Sequence, residues 1–237
     1  MMADSCDVVV DVWGDFAMFT RPDSKVERVT YKFPTPSACR GILNAIYSKP
    51  VEFYYEITQI DIMNPIRAIS LKRNEIQDVA NPSKVYDSDY HINPDNCRTQ
   101  RMCTYLTNVY YRIHAKIVKR DDASDEINIK SLESQFNKRV KNGKCFFQPA
   151  LGTRECVCYF SSPDNSRIPV NEDADFGVVL YDVFDIRNNV PLDTRKKAQS
   201  AGKTCKPMVS FFDAKMRDGI IKVPAWDSDE LLVRRTM

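Results

Sequence analysis

Residues Val109 to Lys119 read V-Y-Y-R-I-H-A-K-I-V-K. Alternation at period two marks a strand with one buried face, because successive side chains point to opposite sides of a sheet. Val109, Tyr111, Ile113, Ala115 and Ile117 then face a core, while Tyr110, Arg112, His114 and Lys116 share the other face. That second face offers rings on which bases stack and cations that meet phosphates, which is how a sheet holds a nucleic-acid strand. One of the chain's two histidines lies in its middle.

The charge around this strand strengthens the reading. A net charge of +2 in 237 residues says little as a total. From Cys97 to Arg120, however, Arg98, Arg101, Arg112, Lys116, Lys119 and Arg120 occur without a single acid, and tyrosines interleave them. Arg98, Arg101, Tyr110, Arg112, Lys119 and Arg120 are therefore the candidate RNA-binding residues. A second acid-free run, Thr194 to Phe212, holds Arg195, Lys196, Lys197, Lys203 and Lys206 and reads as a solvated face.

Working outward, Asp7 to Phe19 forms a first strand broken by Gly14. P-T-P-S at Pro34 to Ser37 starts a helix, with Thr35 or Ser37 as cap and Pro36 near the first turn, and Lys49-Pro50 ends it. Its apolar stripe is Ala38, Ile42, Ala45 and Ile46. At about 100° per residue Tyr47 falls opposite that stripe, pointing away from the core. Val51 to Met63 is a second strand. The stretch at about 68–107 is polar, broken by prolines and too long for an ordinary connection, so it is expected to be an irregular arm that contacts RNA. A helix over Ile127 to Asn142 and short strands at Cys145 to Phe147 and Arg154 to Phe160 follow. This order is β-α-β-β-α-β, so the expected class is α+β: a ferredoxin-like domain of RNA-recognition type over residues 1–162 with a long inserted arm. Residues 163–237 read as a small β-rich C-terminal extension.

Composition narrows the chemistry. With 43% hydrophobic and 28% charged residues the chain is an ordinary globular one. No apolar run approaches the ~18 residues of a membrane span. The opening M-M-A-D-S-C-D is acidic where a secretory signal is basic and then apolar, so a cytoplasmic location is expected and no membrane partner. The eight cysteines are scattered without a C-x-x-C pair and read as buried reduced thiols; no metal and no cofactor is expected. Neither a P-loop nor a dinucleotide fingerprint is present. Chemistry within reach of His, Lys and Tyr alone is metal-independent RNA cleavage. A base takes the ribose 2′-OH proton, the oxygen attacks the adjacent phosphate, and an acid protonates the leaving 5′-oxygen. The products are a 2′,3′-cyclic phosphate and a 5′-OH. His114, on the polar face beside Lys116, is the residue placed for it. His91, in the arm, is a weaker candidate.

Several stretches occur together in order: G-D-F-A-M-F-T-R-P at Gly14 to Pro22, Y-K-F-P-T-P-S-A-C-R-G-I-L-N-A-I-Y-S-K-P at Tyr31 to Pro50, M-N-P-I-R at Met63 to Arg67, N-E-I at Asn74 to Ile76 and L-G-T-R-E-C at Leu151 to Cys156. Together they resemble the CRISPR-associated Cas-five family, its type I-C member in particular, strongly over residues 8 to 160 and loosely beyond. The resemblance implies a repeat-associated RNA-binding superfamily fold and an endoribonuclease that cuts precursor CRISPR RNA (crRNA) at the base of each repeat hairpin. It implies retention of the mature crRNA's 5′ handle beside the backbone and large subunits of the type I-C surveillance complex, where DNA contact is also open. Active members use a tyrosine at the end of the first helix with a lysine and a histidine on the later strand, which map onto Tyr47, His114 and Lys116. The alternative is a non-catalytic crRNA-binding subunit of that complex.

Overall fold

The computed structural model describes residues 5–24, 26–84, 86–121, 123–187 and 208–235; the basic run at 195–206 lies outside them. Its longest element is the strand announced by the alternating stretch, here β4, Arg98–Lys119. Three antiparallel partners use it as a spine. β1 (Ser5–Ala17) places Val9 opposite His114 and Asp7 opposite Lys116. β2 (Phe53–Ile62) places Glu56 opposite Lys116 and Gln59 opposite His114, with a bulge between Ile57 and Gln59. β3 (Ala68–Ile76) pairs with the N-terminal half of β4, Ala68 opposite Leu106 and Ile76 opposite Arg98.

That last pairing corrects the expectation of an irregular arm. Residues 68–76 and 98–106 form a two-stranded ribbon, and the segment that joins them holds a 3-10 turn at Pro82–Lys84 and a short helix, α2, at Pro94–Cys97. No residue of β3 is buried. A strand solvated on both faces has no apolar period to read, so its pairing is invisible in the sequence.

Two helices cover one face of the sheet. In α1 (Pro36–Ile46) the Thr35 side chain accepts from the Ala38 amide at 3.2 Å, and Pro36 fills the first turn, where no amide hydrogen is required. Ile42, Leu43, Ala45 and Ile46 are buried. In α3 (Ile129–Lys141) the Asn128 side chain caps the Lys130 amide at 2.9 Å, and Ile129, Leu132, Phe136 and Val140 turn inward. Ile42, Leu43 and Ile46 of α1 and the four inward residues of α3 join Tyr111, Ile113, Ala115 and Ile117 of β4 in one core. Cys39, Cys97, Cys103, Cys156 and Cys158 are buried free thiols.

After α3 the chain forms no strand at Cys145 to Phe147. β5 is only Tyr159–Ser161, pairing with β1. The C-terminal part is β-rich as expected: β6 (Ala174–Asp182), β7 (Met208–Arg217), β8 (Ile220–Lys222) and β9 (Leu232–Arg235). It is continuous with the first part, because β8 pairs with β2 and the order runs β5-β1-β4-β2-β8-β7-β6. A buried ion pair, Arg40 of α1 to Asp182 of β6 at 2.9 Å, fastens the two. The architecture is therefore a mostly antiparallel sheet with few helices. No helix among the described residues is long and apolar enough to cross a membrane.

The L-G-T-R-E-C stretch has a backbone reason. Gly152 adopts φ +91° where the chain bridges to Met18, and a Cβ there would collide with the Met18 carbonyl. Gly152→Ala combines that strain with overpacking and is expected to cost about 2–4 kcal/mol of unfolding free energy. Urea denaturation checks this, and a change below about 0.5 kcal/mol would contradict it.

Candidate functional site

The face of β4 opposite the helices carries Tyr110, Arg112, His114 and Lys116, as the alternation requires. Two of these four are occupied by the protein itself. Asp11 of β1 is fully buried. Arg112 donates to it from Nε at 2.7 Å and from Nη2 at 3.0 Å, and also to the Asp164 carbonyl at 2.7 Å. The Tyr110 hydroxyl and the Asp164 amide donate to the same carboxylate at 3.2 and 2.9 Å. The bond to Asp11 pushes the Arg112 guanidinium pKa further up, and burial together with Asp11 raises that of the Tyr110 phenol. The Tyr110 ring stacks on Trp13 at 5.5 Å between centroids and lies under Arg167 at 4.3 Å. Tyr110 and Arg112, expected as RNA ligands, are thus parts of a buried hydrogen-bonded network.

Of the other candidate cations, Arg101, Arg98 and Arg120 also meet partners within the chain. Arg101 pairs with Glu75 of β3 at 3.5 Å, and Arg98 with Asp95 at 3.0 Å in an exposed pair that solvent screens. Arg120 is buried; its Nε donates to the Pro50 carbonyl at 2.7 Å and its guanidinium lies 5.4 Å from the Tyr54 ring centroid. Lys119 is half-buried at the end of β4, opposite Phe53. Lys116 is exposed and makes no ion pair among the described residues.

His114 sits between these extremes, with its side chain 29% exposed. Its Nε2 is 2.9 Å from Oδ2 of Asp61, whose side chain is only 6% exposed. Oδ1 of Asp61 accepts from Nε2 of the Gln59 side chain at 2.6 Å, and Lys222 of β8 donates to Oε1 of the same side chain. Sequence reading passed over Asp11 and Asp61. Each is the one acid within an apolar stretch of its strand, V-V-V-D-V-W and Q-I-D-I-M. That is the available signal, because a carboxylate carried into a sheet needs partners.

Tyr47 is elsewhere. It does not point away from the core but is 2% exposed within it. The 100° rule fails because Tyr47 is the C-cap of α1, at φ −150° and ψ 124°, so its side chain leaves the helical direction. Its ring packs on Phe53 at 5.5 Å and under Arg139 of α3 at 5.5 Å, its hydroxyl is 2.9 Å from Gln135 Oε1, and its carbonyl accepts from Tyr55. All of these lie on the helix side of the sheet, whereas His114 and Lys116 occupy the open side. The structure brings His114 and Lys116 onto one face and does not bring Tyr47 to them. Gln135 lines a separate cleft with Lys49, Glu52, Asn128 and Ser131.

With this geometry in view, the relatives of the chain are informative. The CRISPR-associated protein (Cas_Cas5) family, in its Cas5d form, matches residues 7–224. A CRISPR pre-crRNA endoribonuclease Cas5d of Thermus thermophilus is 37% identical over 223 residues, covering 94% of this chain and 93% of that protein. One of the same description from Mannheimia succiniciproducens is 35% identical over 235 residues, covering 93% and 96%. Two solved structures share the fold. One, of a CRISPR-associated protein, is 22% identical with a TM-score of 0.67 over 99% of this chain and 100% of that one. The other, of a functionally uncharacterized protein from Streptococcus mutans, is 20% identical with a TM-score of 0.65 over 98% and 100%. The match over nearly its whole length shows that this chain belongs to the Cas5d family of CRISPR-associated proteins.

Proposed function

We propose that this chain is an endoribonuclease that cuts repeat hairpins in precursor crRNA and keeps the 5′ handle of the product, beside the backbone and large subunits of a type I-C surveillance complex. The observation that carries this is its identity of 35% or more, across over nine tenths of its length, with two proteins described as pre-crRNA endoribonucleases. The order β5-β1-β4-β2, with α1 and α3 on one face, supports a ferredoxin-like reading of the first part.

On this reading the chemistry belongs to the open face of β4. A strand of RNA laid there meets His114, which can move a proton, and Lys116, an exposed cation that can stabilise charge on the phosphorane. The 2′-oxygen attacks phosphorus, the bond to the 5′-oxygen breaks, and that oxygen leaves protonated; no metal is required. In purified protein with EDTA, the repeat hairpin is expected to be cut, whereas a hairpin with 2′-deoxyribose before the scissile phosphate binds uncut. His114→Ala is expected to slow cleavage by ~10²-fold or more while hairpin affinity stays within about tenfold. No cleavage in EDTA by a chain that binds the hairpin tightly would favour the non-catalytic crRNA-binding alternative.

Lys116 and Arg112 separate binding from stability. Lys116→Ala should weaken hairpin binding and lower the salt slope of log affinity by about 1, leaving unfolding free energy within about 0.5 kcal/mol. Arg112→Ala strands the buried Asp11 and should cost about 3 kcal/mol of stability. Salt titrations and urea melts of the two variants check this; a stable Arg112→Ala protein would return that arginine to the RNA-binding set.

A second reading has one observation in its favour: Gln135, which holds the Tyr47 hydroxyl, and Lys49 line the cleft beyond the sheet. Burial raises the Tyr47 pKa, which suits its hydroxyl to giving a proton rather than taking one. If the open face carries the reaction, Tyr47→Phe cleaves within about threefold of wild type. A ~10²-fold loss with unchanged affinity would move the chemistry to the cleft.

A further inference from the structure

The hydrogen bonds around His114 do more than fill its surroundings: they determine which of its two ring nitrogens can react. A carboxylate only accepts hydrogen bonds, so the contact at 2.9 Å requires the proton to be on Nε2, in the neutral and the charged ring alike. Among the described residues Nδ1 has no hydrogen-bonding partner, and the ring is partly exposed. Asp61 is itself held. Its second oxygen takes the Gln59 amide at 2.6 Å, and Lys222, which can only donate, fixes the orientation of that amide by engaging its oxygen. The chain Lys222, Gln59, Asp61, His114 runs from β8 through β2 to β4, so the C-terminal strands orient a side chain on the central one. Around the ring, β1 contributes the uncharged Val9 opposite it, and Arg112 is engaged by Asp11. Asp61 is the only charged side chain in hydrogen-bond contact with the ring among the described residues.

We propose that Asp61 is the positioning residue of the ribonuclease site: it holds His114 so that Nδ1 faces the RNA and exchanges the proton with the ribose or the leaving oxygen. This rests on the reading of His114 as the proton-transfer group, and the experiment separates the two. Asp61→Asn keeps the shape of the side chain but lets it present a donor to Nε2, which selects the wrong tautomer. Single-turnover cleavage of the repeat hairpin in EDTA is expected to fall on the order of 10²-fold. Hairpin affinity should stay within about threefold and the melting temperature close to wild type. Asp61→Glu, which restores an acceptor, should recover part of the rate. Because the chain has only two histidines, ¹⁵N-histidine spectra resolve the ring directly, and the His114→Ala variant identifies its signals. Asp61→Asn should shift the His114 Nε2 and Nδ1 signals and leave those of His91 in place. If Asp61→Asn does not fold, Gln59→Leu removes only the support of Oδ1 and should give a smaller rate loss, of several fold, again without loss of affinity. Wild-type cleavage by Asp61→Asn when His114→Ala is inactive would overturn the positioning role alone. A loss confined to melting temperature or affinity would do the same, since it is what a packing role produces. Full activity in His114→Ala would instead remove the catalytic reading on which the proposal stands.

Discussion

The buried carboxylate of Asp11 is the contact on which the open face of the sheet depends. It has no solvent, and four hydrogen bonds replace its hydration: two from Arg112, one from Tyr110 and one from the Asp164 backbone. A charge so placed is tolerable only when all its lone pairs are occupied, and removing any partner leaves the rest with an uncompensated desolvation cost. The contact also sets geometry. It joins β1 to β4, in the register that puts Val9 opposite His114, and draws the segment after β5 across them.

This arrangement changes what the basic stretch of β4 means. Read along the chain, six cations follow one another without an acid. Folded, Arg112 meets Asp11, Arg101 meets Glu75, Arg98 meets Asp95 and Arg120 turns to the Pro50 carbonyl. The face is therefore not a uniform positive stripe. Lys116 remains as an exposed cation, with His114 two residues before it and a carboxylate behind the imidazole. One exposed cation beside one hydrogen-bonded imidazole is a narrower arrangement than a phosphate-binding band, and the proposed cleavage chemistry is placed on it for that reason.

The C-terminal strands belong to this device. β8 extends the sheet at β2 and carries Lys222 to Gln59, while Arg40 and Asp182 clamp α1 to β6. What looked like an appended extension thus shares both the core and the support of His114. Tyr47 shows the reverse relation. It stands in the Tyr31 to Pro50 stretch that carries much of the family likeness, yet it caps α1 inside the core and faces α3, with the sheet between it and the open face.

The sequence by itself determined the elements whose signals are local. The alternation of β4 told which residues face the helices, because a half-buried strand sorts side chains at every step. P-T-P-S at Pro34 to Ser37 located the start of α1, because a helix needs a cap for its first amides, and the structure gives that place to Thr35 rather than Ser37. The apolar spacing of Ile127, Leu132, Phe136 and Val140 gave α3 within two residues, although Ile129 rather than Ile127 is the buried residue at its start. The β3 ribbon escaped because neither of its faces is buried, and Tyr47 was misdirected because helical periodicity does not hold past the last helical residue. Only the tertiary structure decided which cations are engaged and which carboxylate stands behind His114. Those contacts join Asp11 to Arg112 and Asp61 to His114, residues on different strands far apart in the chain. Coulomb attraction and hydrogen bonding act over a few ångströms in space, and separation along the chain carries no information about that distance until the register of β1, β2 and β4 is formed.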